Sequence, residues 1–410
     1  MNRRIIASWC LYDFANSFFA VLPAVVWQTY YQQKIVGNEA GLGDFWWGNA
    51  LSAAMLIVAL SSPMMGGIAD YAGVRKRLLV IYTGVCVAAV AFYTTVEPGM
   101  ILWGFAISVI SIAAFEGGQV FYNAYLPEIA PPEYQGRVSG WGFAAGYVGS
   151  LIGLVLAVPF ARAGHMNFAF LSIAAAFMVF SLPAFLVLPP DSAPRRGLAD
   201  AALGGLREAR ATFQEILRLK EMRRFLLAYF FFEDGVITVI NVSAGFAAKS
   251  LGFTTEELLI LFAVVQVSAL AGAWAWAAPT DRLGPKRVVM TMLVQWTVVI
   301  ACVYFVQTKM QFFLVAVLAG TGLGAIQAAA RAFMARLIPP GREADFFGFY
   351  SLCGKSASIL GPLIYGISSA LTGGNQRRAI LSVLALFILG ALLLRRVEAG
   401  GPMGKSEIRN

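Results

Sequence analysis

This 410-residue chain has one histidine, His165, and four cysteines. Cys10, Cys86, Cys302 and Cys353 all lie in apolar runs. They show neither metal-ligand spacing nor a secreted disulfide framework, so they read as small hydrophobic core residues. Charge is scarce too, at 13% of residues. The sequence has no phosphate-binding loop, no nucleophile motif and no metal cluster, and its hydrophilic gaps are short. A membrane enzyme working at an interfacial loop is thereby excluded, and so is a cofactor. Strands of alternating polarity, about ten residues each, are absent, which excludes a membrane barrel.

What is present is apolar. Hydrophobic residues make up 59% of the chain and mean hydropathy is +0.71. A soluble domain must cover a wet exterior and cannot carry that composition. Apolar stretches of about 20 residues, the length needed to cross a bilayer, recur throughout. The chain therefore reads as an all-α polytopic membrane protein with twelve spans, at about 8–33, 45–69, 77–96, 99–127, 135–161, 166–189, 224–249, 256–279, 286–307, 310–337, 345–371 and 377–395. Glu97-Pro98 and Thr308-Lys309 are gaps too short for anything but antiparallel neighbours. Pro131-Pro132 and Pro339-Pro340 end the fourth and tenth spans, because proline cannot continue a helix. The N-terminal run contains Asp13 and Asn16 and lacks a small-residue cleavage site, so it reads as a retained span rather than a signal peptide.

Most of the 31 Lys and Arg fall on the side of the N-terminus. Six lie on the other side (Lys34, Arg162, Lys249, Lys309, Arg377 and Arg378) and two within spans (Arg331 and Lys355). This asymmetry places both termini in the cytoplasm of a plasma, or bacterial inner, membrane. The net charge of +9 then belongs to topology and anionic lipid, and nucleic acid is not needed as a partner. The longest hydrophilic stretch opens at Pro189, Pro190 and Pro194 and divides the chain into a bundle over 1–189, a linker over 190–223, a second bundle over 224–396 and a tail over 397–410. Within the linker, Leu206, Phe213, Ile216 and Leu217 are expected to share one face of an amphipathic helix, with Arg207, Arg210, Arg218 and Lys220 interspersed. Such a helix tethers two bundles or lies on the inner membrane surface.

The two bundles repeat. Gly66-Gly67-Ile68-Ala69-Asp70-Tyr71-Ala72-Gly73-Val74-Arg75-Lys76 matches Ala278-Pro279-Thr280-Asp281-Arg282-Leu283-Gly284-Pro285-Lys286-Arg287 at an offset of 211. Asp70 aligns with Asp281, Gly73 with Gly284, and Arg75-Lys76 with Lys286-Arg287. The glycines permit tight turns, the basic pairs favour a cytoplasmic leaflet, and each aspartate suits a positive helix end. At an offset of 208, Pro131-Pro132 matches Pro339-Pro340, Gly140 matches Gly348, Gly146 matches Gly354, Gly153 matches Gly361, Gln119 matches Gln327 and Asn123 matches Arg331. Repeated halves are the plan of many secondary transporters. Gly142, Gly146, Gly149 and Gly153 read as a packing face.

Six ionisable residues fall within the spans: Asp13, Glu116, Glu233, Asp234, Arg331 and Lys355. Each costs at least ~2.5–3.5 kcal/mol at mid-bilayer, so such groups face a bundle interior or a wet cavity. Glu116, Gln119 and Asn123 fall at i, i+3 and i+7, a polar stripe on one helix face. Gln327 and Arg331 fall at i and i+4. Four acids against two bases leave two acids over if each base takes one, and an unpaired acid in an apolar setting favours its protonated form. Glu116 and the pair Glu233/Asp234 are therefore candidate proton sites, with the proton as candidate coupling ion. Arg331 and Lys355 are candidates to hold an anionic group. The bland alternative is that all six form structural ion pairs. Trp46, Trp47 and Trp103 read as interfacial anchors, and Tyr122 and Trp27 as aromatics within reach of a cavity. His165 falls in an outer loop, and Asn241-Val242-Ser243 lies inside a span, where it is no glycosylation site.

The doubled loop Gly-x-x-Ala-Asp-x-x-Gly-x-Arg-Lys resembles the signature between the second and third spans of the major facilitator superfamily. Trp9-Cys10-Leu11-Tyr12-Asp13-Phe14-Ala15-Asn16-Ser17, Arg331-Ala332-Phe333 and the run from Ile338 to Glu343 with Phe346-Phe347-Gly348-Phe349-Tyr350 resemble its vacuolar amino-acid effluxer branch. The resemblance implies two six-helix bundles, rocker-switch alternating access and export of a small, amino-acid-like solute. It further implies that spans one, four, seven and ten line the cavity, and that Asp70 latches the outward-facing state against the start of the eleventh helix. The fourth span carries no arginine, and Tyr147 follows Gly146 where the antiporter signature has proline, so coupling stays open. A lipid or lysolipid flippase and an amphipathic-drug exporter remain alternatives on this fold, and a non-transporting nutrient sensor one of another class. The expected partners are a small-molecule substrate and membrane lipid, and the expected state is a monomer.

Overall fold

The computed structural model describes residues 1–38, 41–191, 198–357 and 360–398; Pro194 and the tail from 399 lie outside them. No strand occurs among the described residues. The main helices are α1 (Arg3–Val21), α2 (Leu42–Ala72), α3 (Arg75–Phe92), α4 (Ile101–Ala124), α5 (Gln135–Arg162), α6 (Met166–Val187), α7 (Leu198–Arg218), α8 (Lys220–Leu251), α9 (Thr255–Leu283), α10 (Pro285–Phe305), α11 (Lys309–Leu337), α12 (Glu343–Ser356), α13 (Leu360–Leu371), α14 (Gln376–Leu381) and α15 (Leu384–Arg395). Ten segments among the described residues are long and apolar enough to cross a membrane. The chain is an integral membrane protein.

Local chemistry explains the boundaries. Thr254 with Glu257 and Thr308 with Gln311 form capping boxes that start α9 and α11. Gly73 and Gly284 turn the chain with φ of 67° and 87°, backbone that a side chain resists. The twelfth expected span runs through α14 and α15 as one membrane-length segment, Gln376–Arg395, and the eleventh falls on α12 and α13, between which residues 358 and 359 lie outside the described residues. Two details depart from the sequence reading. After α1 the chain continues through wider π-type turns over Leu22–Trp27 and Tyr31–Val36. In the linker helix α7, Ile216 is buried with Ala209 and Thr212, while Leu206, Phe213 and Leu217 are exposed. Small residues at 205, 209 and 212 let a neighbour come close, so they, and not the large apolar residues, set the packed face; Gly205 rests on Ile68 and Gly204 on Tyr71.

The chain forms two compact units. One holds Met1–Ile129, Ala145–Arg210 and Gly341–Leu352; the other holds Ala130–Ala144, Ala211–Pro340 and the chain from Cys353. The helices α5, α7 and α12 are thus each divided between units. In the first unit a side chain at Gly149 would strike the carbonyl of Phe14, so α5 lies directly on α1. This is the packing role expected of that glycine face. Trp27 is fully buried, stacked on Tyr93 with its N–H on Ser108, and is a core residue rather than a cavity one. Trp47 is likewise buried, whereas Trp103 is exposed. His165 is exposed, as expected of a loop position.

Candidate functional site

The repeated loops are built on one plan. In the first unit, Asp70 Oδ2 accepts the backbone N–H of Asp345 at 2.9 Å, in the first turn of α12. In the second unit, Asp281 accepts the N–H groups of Gly136 at 2.7 Å and Arg137 at 3.1 Å, in the first turn of α5. Asp345 and Arg137 are themselves equivalent at the offset of 208. Each aspartate therefore caps the helix that follows a Pro-Pro pair, where unpaired N–H groups and the helix dipole favour a negative charge.

The surroundings of the two aspartates differ in charge. Arg75 bonds Asp70 at 2.9 Å, Glu343 at 2.9 Å and Glu128 at 3.0 Å, one guanidinium among three carboxylates. Asp281 instead lies 3.6 Å from Arg137 and 3.5 Å from Arg336, one carboxylate between two guanidinium groups. Glu128 and Arg336 are equivalent positions, so the repeat inverts charge there. Lys286, which stands where Arg75 does, donates to the carbonyls of Arg395 and Val397. Lys76 donates its N–H to Asp191 at 2.6 Å and its ammonium to the Leu188 carbonyl at 2.8 Å. Arg287 is exposed.

Among the intramembrane groups of the first unit, Glu116, Gln119 and Asn123 are half-buried on α4, whereas their neighbours Gly117, Gly118, Val120 and Tyr122 are buried. The stripe read from spacing is thus the more open face of that helix. Asp13 is buried and accepts the Tyr122 hydroxyl at 2.9 Å. Tyr122 is stacked between Trp9 and Tyr12, and the Trp9 N–H bonds the Tyr122 carbonyl. Asn16 is buried, and its amide Nδ2 meets no acceptor among the described residues.

In the second unit Arg331 is 3% exposed. Its Nε donates to Ser139 Oγ at 2.9 Å, its Nη2 to the Ser139 carbonyl at 2.8 Å, and its plane lies 4.1 Å from the Phe143 ring centroid. Ser139 in turn donates to the carbonyl of Ala328. Sequence reasoning missed Ser139 and Phe143, as it missed Glu128, Glu343 and Asp345. Lys355 and Gln327 are half-buried. Glu233 is buried and lies close enough to Lys355 for the two to interact electrostatically.

Asp234 has a different occupation. Both its oxygens accept the N–H of Gly361, at 2.9 and 2.8 Å, at the start of α13. Asp234→Ala should remove that acceptor and lower stability by about 1–3 kcal/mol. Asp234→Asn should cost less, since one oxygen remains; thermal melting of the two purified variants checks the order.

Comparison with known proteins follows the same lines. The model of the family described as "Vacuole effluxer Atg22 like" matches residues 49–403. An uncharacterized MFS-type transporter, YxiO of Bacillus subtilis, is 29% identical over 94% of this chain and 93% of its own. Autophagy-related protein 22 of Yarrowia lipolytica is 23% identical over 86% of this chain and 75% of its own. Among solved structures, the human organic anion transporter MFSD10 superposes with a TM-score of 0.77 at 17% identity, covering 96% of this chain and 99% of that one. The proton:xylose symporter XylE gives 0.76 at 15% identity, covering 96% and 95%. At those identities the structures establish the fold alone.

Proposed function

This chain belongs to the vacuole effluxer Atg22-like family of major facilitator superfamily transporters, and from that premise we propose that it exports a small zwitterionic, amino-acid-like solute coupled to protons. The observation that carries the proposal is the pairing of buried Glu233 with half-buried Lys355 in one unit. A half-buried ammonium can be reached by a carboxylate on a solute, and the carboxyl group beside it is a group able to carry a proton. A carboxylate bound at Lys355 would weaken the hold of that lysine on Glu233 and favour its protonation. That gives a physical route from solute binding to proton uptake. Within the first unit, the half-buried stripe of Glu116, Gln119 and Asn123 on α4 is polar, which favours a small polar solute over a lipid chain. The charge asymmetry along the sequence supports a reading with both termini on the cytoplasmic side of a plasma membrane.

Proteoliposomes with an imposed proton gradient test this reading, loaded with amino acids, peptides, organic acids or lysolipids in parallel. Flux of an amino acid that depends on the gradient in wild type, and no longer depends on it in Glu233→Gln, supports the proposal. Wild-type coupling in both Glu233→Gln and Glu116→Gln would refute the proton sites. Flux of lysolipid alone would replace the solute.

A further inference from the structure

The second unit contains a cavity of about 240 Å³ in the outer-loop half of its bundle, between α8, α9, α10 and α11. Its walls are apolar: Leu261, Val265, Phe312 and Ala316 are representative, and no charged residue lines it. Interiors are close-packed, and a void of this size among Leu, Val and Phe forfeits many contacts. An apolar cavity is a place where small apolar molecules bind. Ile240, at its rim, is 45% exposed, so the cavity reaches the apolar surface of the helix bundle.

Four residues with polar side-chain atoms line the cavity, Ser243, Gln266, Trp296 and Tyr365, and the Ser243 hydroxyl is satisfied by the Val239 carbonyl. Trp296 is 2% exposed, and its indole N–H has no acceptor among the described residues. Gln266 is 9% exposed and makes no hydrogen bond to another described residue. The Tyr365 hydroxyl at the cavity makes none either. Buried amides and indoles are normally hydrogen-bonded, because leaving them dry and unpaired costs more than a bond gains. An unpaired amide at an apolar cavity is what a ligand with an apolar body and a single polar head would satisfy. The absence of charge restricts that head to a neutral one, since an ion would lose its hydration with no counter-charge in return.

We propose that this cavity is a binding site for a neutral, single-headed amphiphile entering from the bilayer. Its apolar body lies between α8, α9 and α11, and its oxygen is hydrogen-bonded by Gln266. The site is distinct from the polar groups assigned to transport. It stands one helical turn from them on shared helices, since Leu323 lines it and Gln327 follows on α11.

Photolabelling of the full-length protein in lipid nanodiscs with a diazirine analogue of octanol tests the site. Labelled residues are mapped by mass spectrometry. Labelling should concentrate on Leu261, Val265, Phe312 and Ala316, saturate with octanol, and resist competition by octanoate or octylammonium by at least about tenfold. Ala316→Trp should fill the cavity and abolish the saturable fraction. Gln266→Leu, which preserves size and packing, should weaken octanol competition several-fold. Its melting temperature in ligand-free nanodiscs should not fall. Labelling that never saturates, that octanoate competes equally well, or that is unchanged in Gln266→Leu overturns the proposal. None of these outcomes depends on the transported solute, so a failure of the transport reading leaves the test intact.

Discussion

Arg331→Lys is expected to lose most transport while leaving a folded protein. The two side chains carry the same charge, yet only arginine fits this setting. Its Nε and Nη2 address the hydroxyl and the carbonyl of one residue, Ser139, at 2.9 and 2.8 Å. Its flat guanidinium also covers the Phe143 ring. A lysine ammonium is a point charge on a flexible stem and cannot reproduce that fork or that stacking. Loss of one charge-assisted hydrogen bond costs about 1.5–3 kcal/mol. The stacking adds about 0.5–2 kcal/mol. At 1.4 kcal/mol per decade, a rate that depends on this geometry falls by roughly 30-fold or more. Initial-rate flux in proteoliposomes, normalised to folded protein, measures it. Ser139→Ala removes the hydroxyl but keeps the carbonyl, so it should show a milder defect of the same kind. If Arg331→Lys melts many degrees lower but transports normally per folded molecule, the arginine fixes helix packing and has no part in the transport cycle.

The contrast between the helices and their partners shows what could be read from the sequence. Helix ends were legible where their causes are local: the turn at Gly73 and the Pro-Pro pairs at 131–132 and 339–340. The half-buried face of α4 was legible because Glu116, Gln119 and Asn123 share a face at the α-helical periodicity. The packed face of α7 was misjudged, since Leu206, Phe213 and Leu217 carry the apolar area while Ala209 and Thr212 permit the close contact. Hydrophobicity marks a buried face only when water is the alternative, and beside a bilayer it is not the sole one. The partner of the first turn of α13 was illegible because Asp234, 127 residues away, accepts the Gly361 N–H. Ser139 and Phe143 were invisible for the same reason. Nothing local distinguishes a serine that holds an arginine from one that bonds its own helix. The repeated aspartates lay between these cases. Their motif was plain, but their acceptor role required α12 and α5 to be placed.

Asp70→Asn is expected to expose the first turn of α12. Asp70 Oδ2 holds the Asp345 N–H while Oδ1 holds Arg75, and its carboxylate side chain is 6% exposed. An asparagine offers one oxygen and one NH2, so its NH2 must confront either a backbone N–H or a guanidinium. Either choice replaces a charge-assisted bond with an opposed pair of donors, about 2–3 kcal/mol in such a setting. Arg75 does not follow the change, because Glu128 and Glu343 retain it. The consequence falls on α12, whose first ten residues belong to one compact unit and whose remainder belongs to the other. Release of that turn should therefore favour the alternative state of the transport cycle. A cysteine at Ala344, which is fully buried, reports it. In a background without native cysteines, a membrane-impermeant maleimide applied from the cytoplasmic side should label Ala344→Cys about 30–100-fold faster when Asp70→Asn is present. Val138, equally buried in the first turns of α5, reports the other loop, and its label should respond to Asp281→Asn. That response should be smaller if Arg137 and Arg336 hold the amide oxygen in place. Unchanged labelling at both reporters would mean that the loops only turn the chain and set its orientation. Labelling at Ala344 that rises with Asp70→Asn, and less with Asp281→Asn, would show that the two copies of the loop have diverged in strength as they have in charge.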